Sequence, residues 1–536
     1  MTLKPKTYTF LCGCFVALGS MLFGYDLGVI AGVLPAKDFI RVMGNPDKDY
    51  VGFISSSLTL GAFVACIPAS LLADRFSRRS TIFVGSIIFL LGGCLQTAAK
   101  NREMMLAGRF FAGLAIGVLS MMAPLYQSEI AHPSIRGRLT TLQQFFLGIG
   151  ATIASFVIFG ISETQADTPF EWRFPLGLQM LPCLPLAAMI FFMPESPRWL
   201  MMVGRERESL ETLARLHSSG DLDDALVRAE FSEMKSALIK ESKEETGWMS
   251  LVTDAQNFRK LMLGITIQFS VQMTGVSCIQ YYAPAIFEEI GFDKRMTFLF
   301  QSVNSIIALI GEAACVLYID RLGRRGPLIF SNVISGSTFA VGTAIQAKYP
   351  ASAKNTSASY AFVMMTWIFN FFFSAGIGPL GWAYPVEIFN TSIRAKATSI
   401  TSMSSWISNF LIGQVSPKAF DSLGWKYYIL FAIFGFTNAI TIWAFFPETK
   451  GRTLEEMDEY FEKTHWIVPL SDYKPKLSRD DREEELRRGV LHQGITDETE
   501  VRVVQKQEKQ EEEEEEEKKK GDLDPDYSLG ISTSIA

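Results

Sequence analysis

Histidine is nearly absent from this chain, with four residues in 536. No group of His, Cys, Asp and Glu has metal-ligand spacing, and no glycine-rich loop has the form of a nucleotide-phosphate cradle. An enzyme is therefore not expected, and neither is a metal or a cofactor. The seven cysteines, Cys12, Cys14, Cys66, Cys94, Cys183, Cys278 and Cys315, all fall in apolar stretches. That argues against a disulfide framework and for buried free thiols. Apolar–polar alternation is missing too, which excludes the strands of a membrane barrel. A cleaved signal peptide is not expected, because the first apolar block is too long for an h-region and lacks a convincing cleavage site. The net charge of -6 comes with acids concentrated in the tail, so nothing in it speaks for a nucleic-acid partner.

What is abundant is apolar residue, at 48% of the chain, with a mean hydropathy of +0.19. It gathers in twelve blocks, near 8–34, 51–73, 80–99, 104–127, 139–161, 174–193, 260–288, 296–319, 326–346, 360–386, 394–415 and 426–446. Blocks of about 20 apolar residues cross a hydrocarbon core of roughly 30 Å as helices. The short loops set the topology. Arg75, Arg78 and Arg79 follow the second block, Arg136 and Arg138 the fourth, Arg321, Arg324 and Arg325 the eighth, and Arg394 and Lys396 the tenth. The positive-inside rule then puts both termini in the cytoplasm. On that topology Asn355-Thr-Ser lies outside as a glycosylation candidate, whereas Asn390-Thr-Ser lies inside.

A polar segment, 195–259, divides the blocks six and six, and its composition reads as amphipathic helices. The two halves repeat. DRFSRR (74–79) matches DRLGRR (320–325), EIAHPSIRGR (129–138) matches EIFNTSIRAK (387–396), and PESPRW (194–199) matches PETKGR (447–452), at offsets of 246, 258 and 253. Parallel repeats of this kind place a transported substrate between the halves near the midplane. Glu129 and Glu387 can pair with arginines at neighbouring helix ends, including Arg79 and Arg325. With Asp74, Arg75, Arg136, Asp320, Arg321 and Arg394 they make a cytoplasmic gate that latches the halves, or they only fix topology. Two acids interrupt the apolar blocks, Asp26 in FGYDLGVIAG and Glu312 in SIIALIGEAACVLYID. An intramembrane acid is costly and marks function by default. Gly24, Gly28 and Gly32, like Gly113 and Gly117, recur every four residues, a spacing that lets helices approach closely.

FGYDLGVIAG, DRFSRR, SEIAHPSIRGRL, PESPRWL, YYAPAIF, DRLGRR, GPLGWAYPVEIF and PETKGRTLEEMD together resemble the sugar porter family of the major facilitator superfamily. They occur in the family's order across roughly residues 20–460. The long tail and central insert look most like fungal members. The resemblance implies an all-α membrane protein of twelve transmembrane helices. Residues 1–194 form an N-terminal six-helix bundle, 195–259 a cytoplasmic helical linker, 260–459 a C-terminal six-helix bundle, and 460–536 a largely disordered acidic tail. It implies alternating-access import in the plasma membrane, with a proton as the coupled ion. The substrate would be a mono- or oligosaccharide, or a related polyol or sugar acid. The alternatives are a sugar sensor signalling through its tail, with cytoplasmic regulators as partners, and a facilitative uniporter.

The resemblance also gives Asp26 a partner, Arg109 at the start of the fourth block. The two are a proton-coupling pair or a permanent structural ion pair. For the sugar it implies Gln272, Ser277, Trp382, Trp406 and Asn409, with Gln280, Tyr281, Asn304 and Glu312 as nearby polar or aromatic groups. Several of the family's usual polar positions are altered here, to Ala151, Val271, Ser277, Ala308 and Ser405. A site remodelled for a sugar other than glucose follows from those losses. Glu312 binds substrate hydroxyls, pairs with a cation, takes up a proton, or is satisfied by a neighbouring helix.

Overall fold

The computed structural model describes residues 4–131, 136–243, 247–350, 355–450, 452 and 454–470. Among these, helices dominate and no strand occurs. The first half contains α1 (Pro5–Val33), α2 (Lys37–Val42), α3 (Lys48–Phe76), α4 (Arg78–Thr97), α5 (Arg102–Ile130), α6 (Arg136–Thr164), α7 (Pro169–Leu178) and α8 (Cys183–Met189). Four short polar helices follow: α9 (Pro197–Met202), α10 (Glu206–His217), α11 (Ala225–Lys243) and α12 (Ser250–Thr253). The second half contains α13 (Ala255–Met273), α14 (Val276–Glu289), α15 (Lys294–Leu322), α16 (Arg325–Lys348), α17 (Thr356–Phe372), α18 (Gly378–Ile388), α19 (Thr391–Leu423), α20 (Tyr427–Phe445) and α21 (Leu454–Lys463).

Among the described residues eleven segments are long and apolar enough to cross a membrane, where twelve are expected. The last, Ile393–Phe445, runs through both α19 and α20, which only a short turn at Gly424–Lys426 separates. Leu71, Leu317 and Ile440 stay exposed on these helices, as lipid-facing side chains do. Their starts follow the sequence locally. Asp47 and Asn101 cap α3 and α5 by accepting from the amides of Tyr50 and Met104, each at 2.9 Å.

The 174–193 block breaks between α7 and α8, and two further blocks that read as continuous are broken near the site. The 260–288 block divides at Gly275, whose φ of +90° suits glycine, into α13 and α14. A π-helical turn, Phe373–Ile377, separates α17 from α18; such turns loosen the backbone ladder and recur at functional sites. Both breaks fall beside residues implicated in substrate binding.

The polar insert docks on the arginine-rich end of the first half. Thr9 donates to the Leu216 carbonyl at 3.0 Å, and His217 lies 2.6 Å from Glu230. In the second half, α21 crosses the expected 459/460 boundary. It packs Met457, Tyr460 and Phe461 into a core with Leu261 and Tyr384. Arg259 donates to the carbonyls of Thr464 at 2.8 Å and His465 at 2.6 Å, holding that helix end. The acidic tail from 471 onward, with any regulator it binds, lies outside the described residues.

Candidate functional site

Asp26 and Arg109 meet. Asp26 on α1 and Arg109 on α5 are both fully buried, with Nη1 to Oδ1 at 3.3 Å and Nη2 to Oδ2 at 3.4 Å. Arg109 Nη2 also donates to the Ser55 carbonyl on α3 at 3.1 Å. Glycines let the helices close around the pair. A Cβ at Gly24 would lie 1.8 Å from the Leu147 carbonyl oxygen on α6, and one at Gly113 would lie 2.0 Å from that of Leu58 on α3. The four-residue glycine spacing thus packs α1 on α6 and α5 on α3, and Asp26 is sealed from lipid.

The pair connects to the second half. Tyr282 on α14 donates to the Gly413 carbonyl on α19 at 2.7 Å, and its hydroxyl reaches Ser55. Its chain neighbour Tyr281 donates to Asn409 Oδ1 at 3.0 Å. Across the break at Gly275, Ser277 donates to Gln272 Oε1 at 2.6 Å, and Gln272 Nε2 donates to Ser405 at 3.2 Å. Trp406 stands between the halves. Its ring lies edge-on to Phe23 of α1 at 5.1 Å and 6.0 Å from Trp382 of α18. Buried Trp406 Nε1 has no hydrogen-bond partner among the described residues. The result is an amide, hydroxyl and indole lining next to a buried ion pair.

Gln272, Ser277, Tyr281, Asn409, Trp382 and Trp406 are therefore brought together. Gln280 is half-buried, and no described contact joins it to them. Asn304 is buried, but it is its backbone carbonyl that accepts from Asn370, at 3.0 Å. Glu312 lies apart, on α15 against Gly148 of α6.

The repeated motifs form matching clusters at the arginine-rich end. Arg78 grips Glu129 through two bonds of 2.9 Å and donates to the Ala73 carbonyl at 2.8 Å. In the second half Arg324 grips Glu387, at 2.7 and 3.0 Å, and donates to the Ile319 carbonyl at 3.2 Å. Arg79 instead meets Glu195 at 2.8 Å, and Glu448 accepts from the backbone amides of Arg324 and Arg325. Tyr126 and Tyr384 donate to the carbonyls of Pro194 and Pro447, completing the two-fold match. So Arg79 and Arg325, expected as the partners of Glu129 and Glu387, give way to Arg78 and Arg324. Those two arginines, with Glu195 and Glu448, carry the clusters and were missed, although each is printed in the repeated motifs.

These bonds tie helices within each half. Asp74 takes part through Arg78 at 3.2 Å. Arg75 and Arg321 are exposed, Arg394 donates to the Phe389 carbonyl at 3.2 Å, Arg136 opens α6, and Asp320 lies near the end of α15. Among the described residues four ion pairs join the halves at the opposite end: Glu171–Lys294 at 2.7 Å, Asp49–Lys418 at 3.1 Å, Lys48–Asp421 at 3.2 Å and Glu163–Arg295 at 3.6 Å. Asn355 is exposed and caps α17 by accepting from the Ala358 amide at 3.2 Å.

The family profile described as "Sugar (and other) transporter" matches residues 12–461. The chain belongs to the sugar porter family of the major facilitator superfamily. An Aspergillus flavus relative, "MFS glucose transporter mfs1", is 32% identical over 90% of this chain and 94% of its own. "High-affinity glucose transporter 1" of Candida albicans is 30% identical over 86% and 87%. Among solved structures, the proton:xylose symporter XylE bound to 6-bromo-6-deoxy-D-glucose superposes with a TM-score of 0.75. It is 23% identical over 85% of this chain and 99% of that one. A partially occluded inward-open XylE from E. coli gives 0.70 at 22% identity, covering 84% and 100%. At that identity the likeness establishes the fold.

This sugar porter is thus a multi-pass membrane protein and a transporter rather than an enzyme. Its departures from the family's polar pattern have visible packing. Val271 sets Cγ2 against Gly381, where a Cβ would be only 2.5 Å away. Ala151 turns its backbone to Gly28, where a Cβ would meet the Ala151 oxygen at 2.8 Å. Ser405 keeps a hydrogen bond through Gln272.

Proposed function

We propose that the protein is a proton-coupled sugar symporter that imports its substrate by alternating access, with both termini in the cytoplasm of a cell bounded by the membrane it serves. The observation that carries this reading is the sealed Asp26–Arg109 pair, whose arginine also holds Ser55 beside the Tyr282 that reaches across from the second half. An ion pair without water is held by its own geometry, and changing one partner's charge alters the whole contact. Protonation of Asp26 leaves Arg109 with the Ser55 carbonyl as its remaining acceptor. That loosens α1 from α5 and frees α14 to move.

Sugar and proton load from the outer side, where Glu171–Lys294 and its neighbours must part. The sugar stacks on Trp382 and Trp406 and exchanges hydrogen bonds with Gln272, Ser277, Tyr281 and Asn409. The indole N–H of Trp406, beside the Cys66 thiol, supplies a donor for a substrate hydroxyl. The halves then rock, and release of both cargoes inside returns the carrier. The relatives' glucose names support a sugar as cargo, while Val271 and Ala151 support a pocket shaped differently from the family's usual one.

The test is uptake in a cell lacking its own hexose carriers, with D-glucose, pentoses, polyols, sugar acids and disaccharides as competitors. Asp26→Asn should abolish accumulation against a gradient and the accompanying proton uptake, yet retain exchange of labelled for unlabelled sugar. Full accumulation by Asp26→Asn would make the pair structural and the protein a uniporter.

A further inference from the structure

Glu312 belongs to neither the ion pair, the substrate lining nor the terminal clusters. It lies on α15 about 15 Å from the helix's arginine-rich end, at roughly 1.5 Å per residue. It is buried, and its Oε2 has no hydrogen-bond partner among the described residues. The carboxyl is pressed onto the opposite half of the molecule. A Cβ added at Gly148 of α6 would stand 1.8 Å from Oε2, so only glycine admits it there.

The seam ends in the Glu163–Arg295 pair at 3.6 Å, and between that pair and Glu312 it is lined by uncharged polar groups. Ser155 and Ser305 lie 2.8 Å apart, Thr152 donates to the Ser305 carbonyl at 3.3 Å, and Ser302 donates to that of Ser155 at 3.2 Å. Around Glu312, α6 presents Gly148 and the π-helical turn presents Ser374 beside Gly311. Its own helix presents Cys315, within electrostatic reach. Helix α14 meets α15 through Phe287 at Phe300, three turns away, and α17 meets it through Trp367 at Phe300 and through the Phe371 carbonyl beside Gly311. Among the described residues no cation pairs with Glu312, and the hydrogen-bond donor it meets is the Gly148 backbone amide.

A carboxylate removed from water with no cation costs several kcal/mol; the neutral acid costs far less. Helices α6 and α15 belong to different halves, so rocking must slide or lift Glu312 from Gly148. We propose that Glu312 is a second proton-binding site, protonated while the α6–α15 seam is closed and releasing its proton to water when the seam opens. The acid's O–H bond breaks, the electron pair stays on the carboxylate, and water takes the proton. Asp26 lies about 10 Å from the other end of α1 at the same rise per residue, so the two acids sit at different depths. The inference rests on the proton-coupled reading and adds a site that senses the seam itself.

The experiment is infrared difference spectroscopy of the full chain in lipid at neutral pH, following the carbonyl band of a protonated carboxyl. Wild type should show the band and Glu312→Gln should lose it. Gly148→Ala keeps the acid but drives it off α6, and it should lose the band too. If Glu312→Gln fails to fold, Glu312→Asp takes its place, with the band shifted in frequency. Absence of the band in wild type, or its persistence unchanged in the Glu312 variant, overturns the proposal. Asp26→Asn separates the two readings: it leaves this band in place and removes sugar accumulation. A variant that keeps accumulation while the Glu312 band behaves as expected would sink the role of Asp26 and spare that of Glu312.

Discussion

Replacing Gly24 by alanine should wedge α1 from α6. The added Cβ would stand 1.8 Å from the Leu147 carbonyl oxygen and 2.6 Å from its carbon, against the 3.4 Å at which ordinary contact begins. The axes must therefore separate by about 1.6 Å, since both sides of the contact are backbone and no rotamer relieves it. Overpacking of this kind costs about 1–3 kcal/mol, while alanine's better helix propensity returns at most ~1 kcal/mol. A net loss of about 1–2 kcal/mol is expected. Gly160 on α6 is the control, because a Cβ there meets nothing within 4 Å. The assay is thermal unfolding in detergent, followed with a thiol-reactive dye that reports exposure of buried cysteines such as Cys12, Cys66 and Cys183. Gly24→Ala should unfold at a clearly lower temperature than wild type, and Gly160→Ala should not. Equal stability of the two variants would refute the argument that glycine spacing sets the α1–α6 distance around Asp26.

Two further outcomes follow from the ion pairs. Glu129→Gln should lower the unfolding midpoint more than Glu387→Gln in the same assay. It takes the doubly bonded carboxylate from Arg78, whose side chain is 4% exposed and which keeps Asp74 at 3.2 Å, whereas Arg324 at 12% keeps more water; losing a buried partner costs up to about 3–5 kcal/mol. Lys294→Met should favour the outward-open carrier, because it removes the cation facing a Glu171 side chain only 5% exposed. A loss of about 1.4 kcal/mol shifts that balance roughly tenfold, read as faster labelling of a cysteine introduced in the outer half of α14. Unchanged labelling would mean that the pair does not hold the outer end shut.

What could be read from the chain, and what could not, divides along a physical line. Asp26 was legible because a carboxylate in an apolar run is expensive and needs a partner, and Arg109 is where the family resemblance puts one. The glycine seams were legible because four residues make slightly more than one helical turn and so return to nearly the same face. The clusters at the arginine-rich end were legible as clusters but not as pairs. Adjacent residues on a helix point about 100° apart, so Arg78 turns to Glu129 while Arg79 turns to Glu195. The same rotation separates Gln280 from Tyr281, whose hydroxyl reaches Asn409. The breaks at Gly275 and at Phe373–Ile377 were hidden because the residues on both sides are as apolar as a continuous span. Yet those breaks bring Gln272 within reach of Ser277 and start the helix that carries Trp382. In a lipid-embedded chain, composition reports which groups are too costly to be accidental. Which neighbour each one meets is decided by helical phase, and a single residue of phase separates a partner from a bystander.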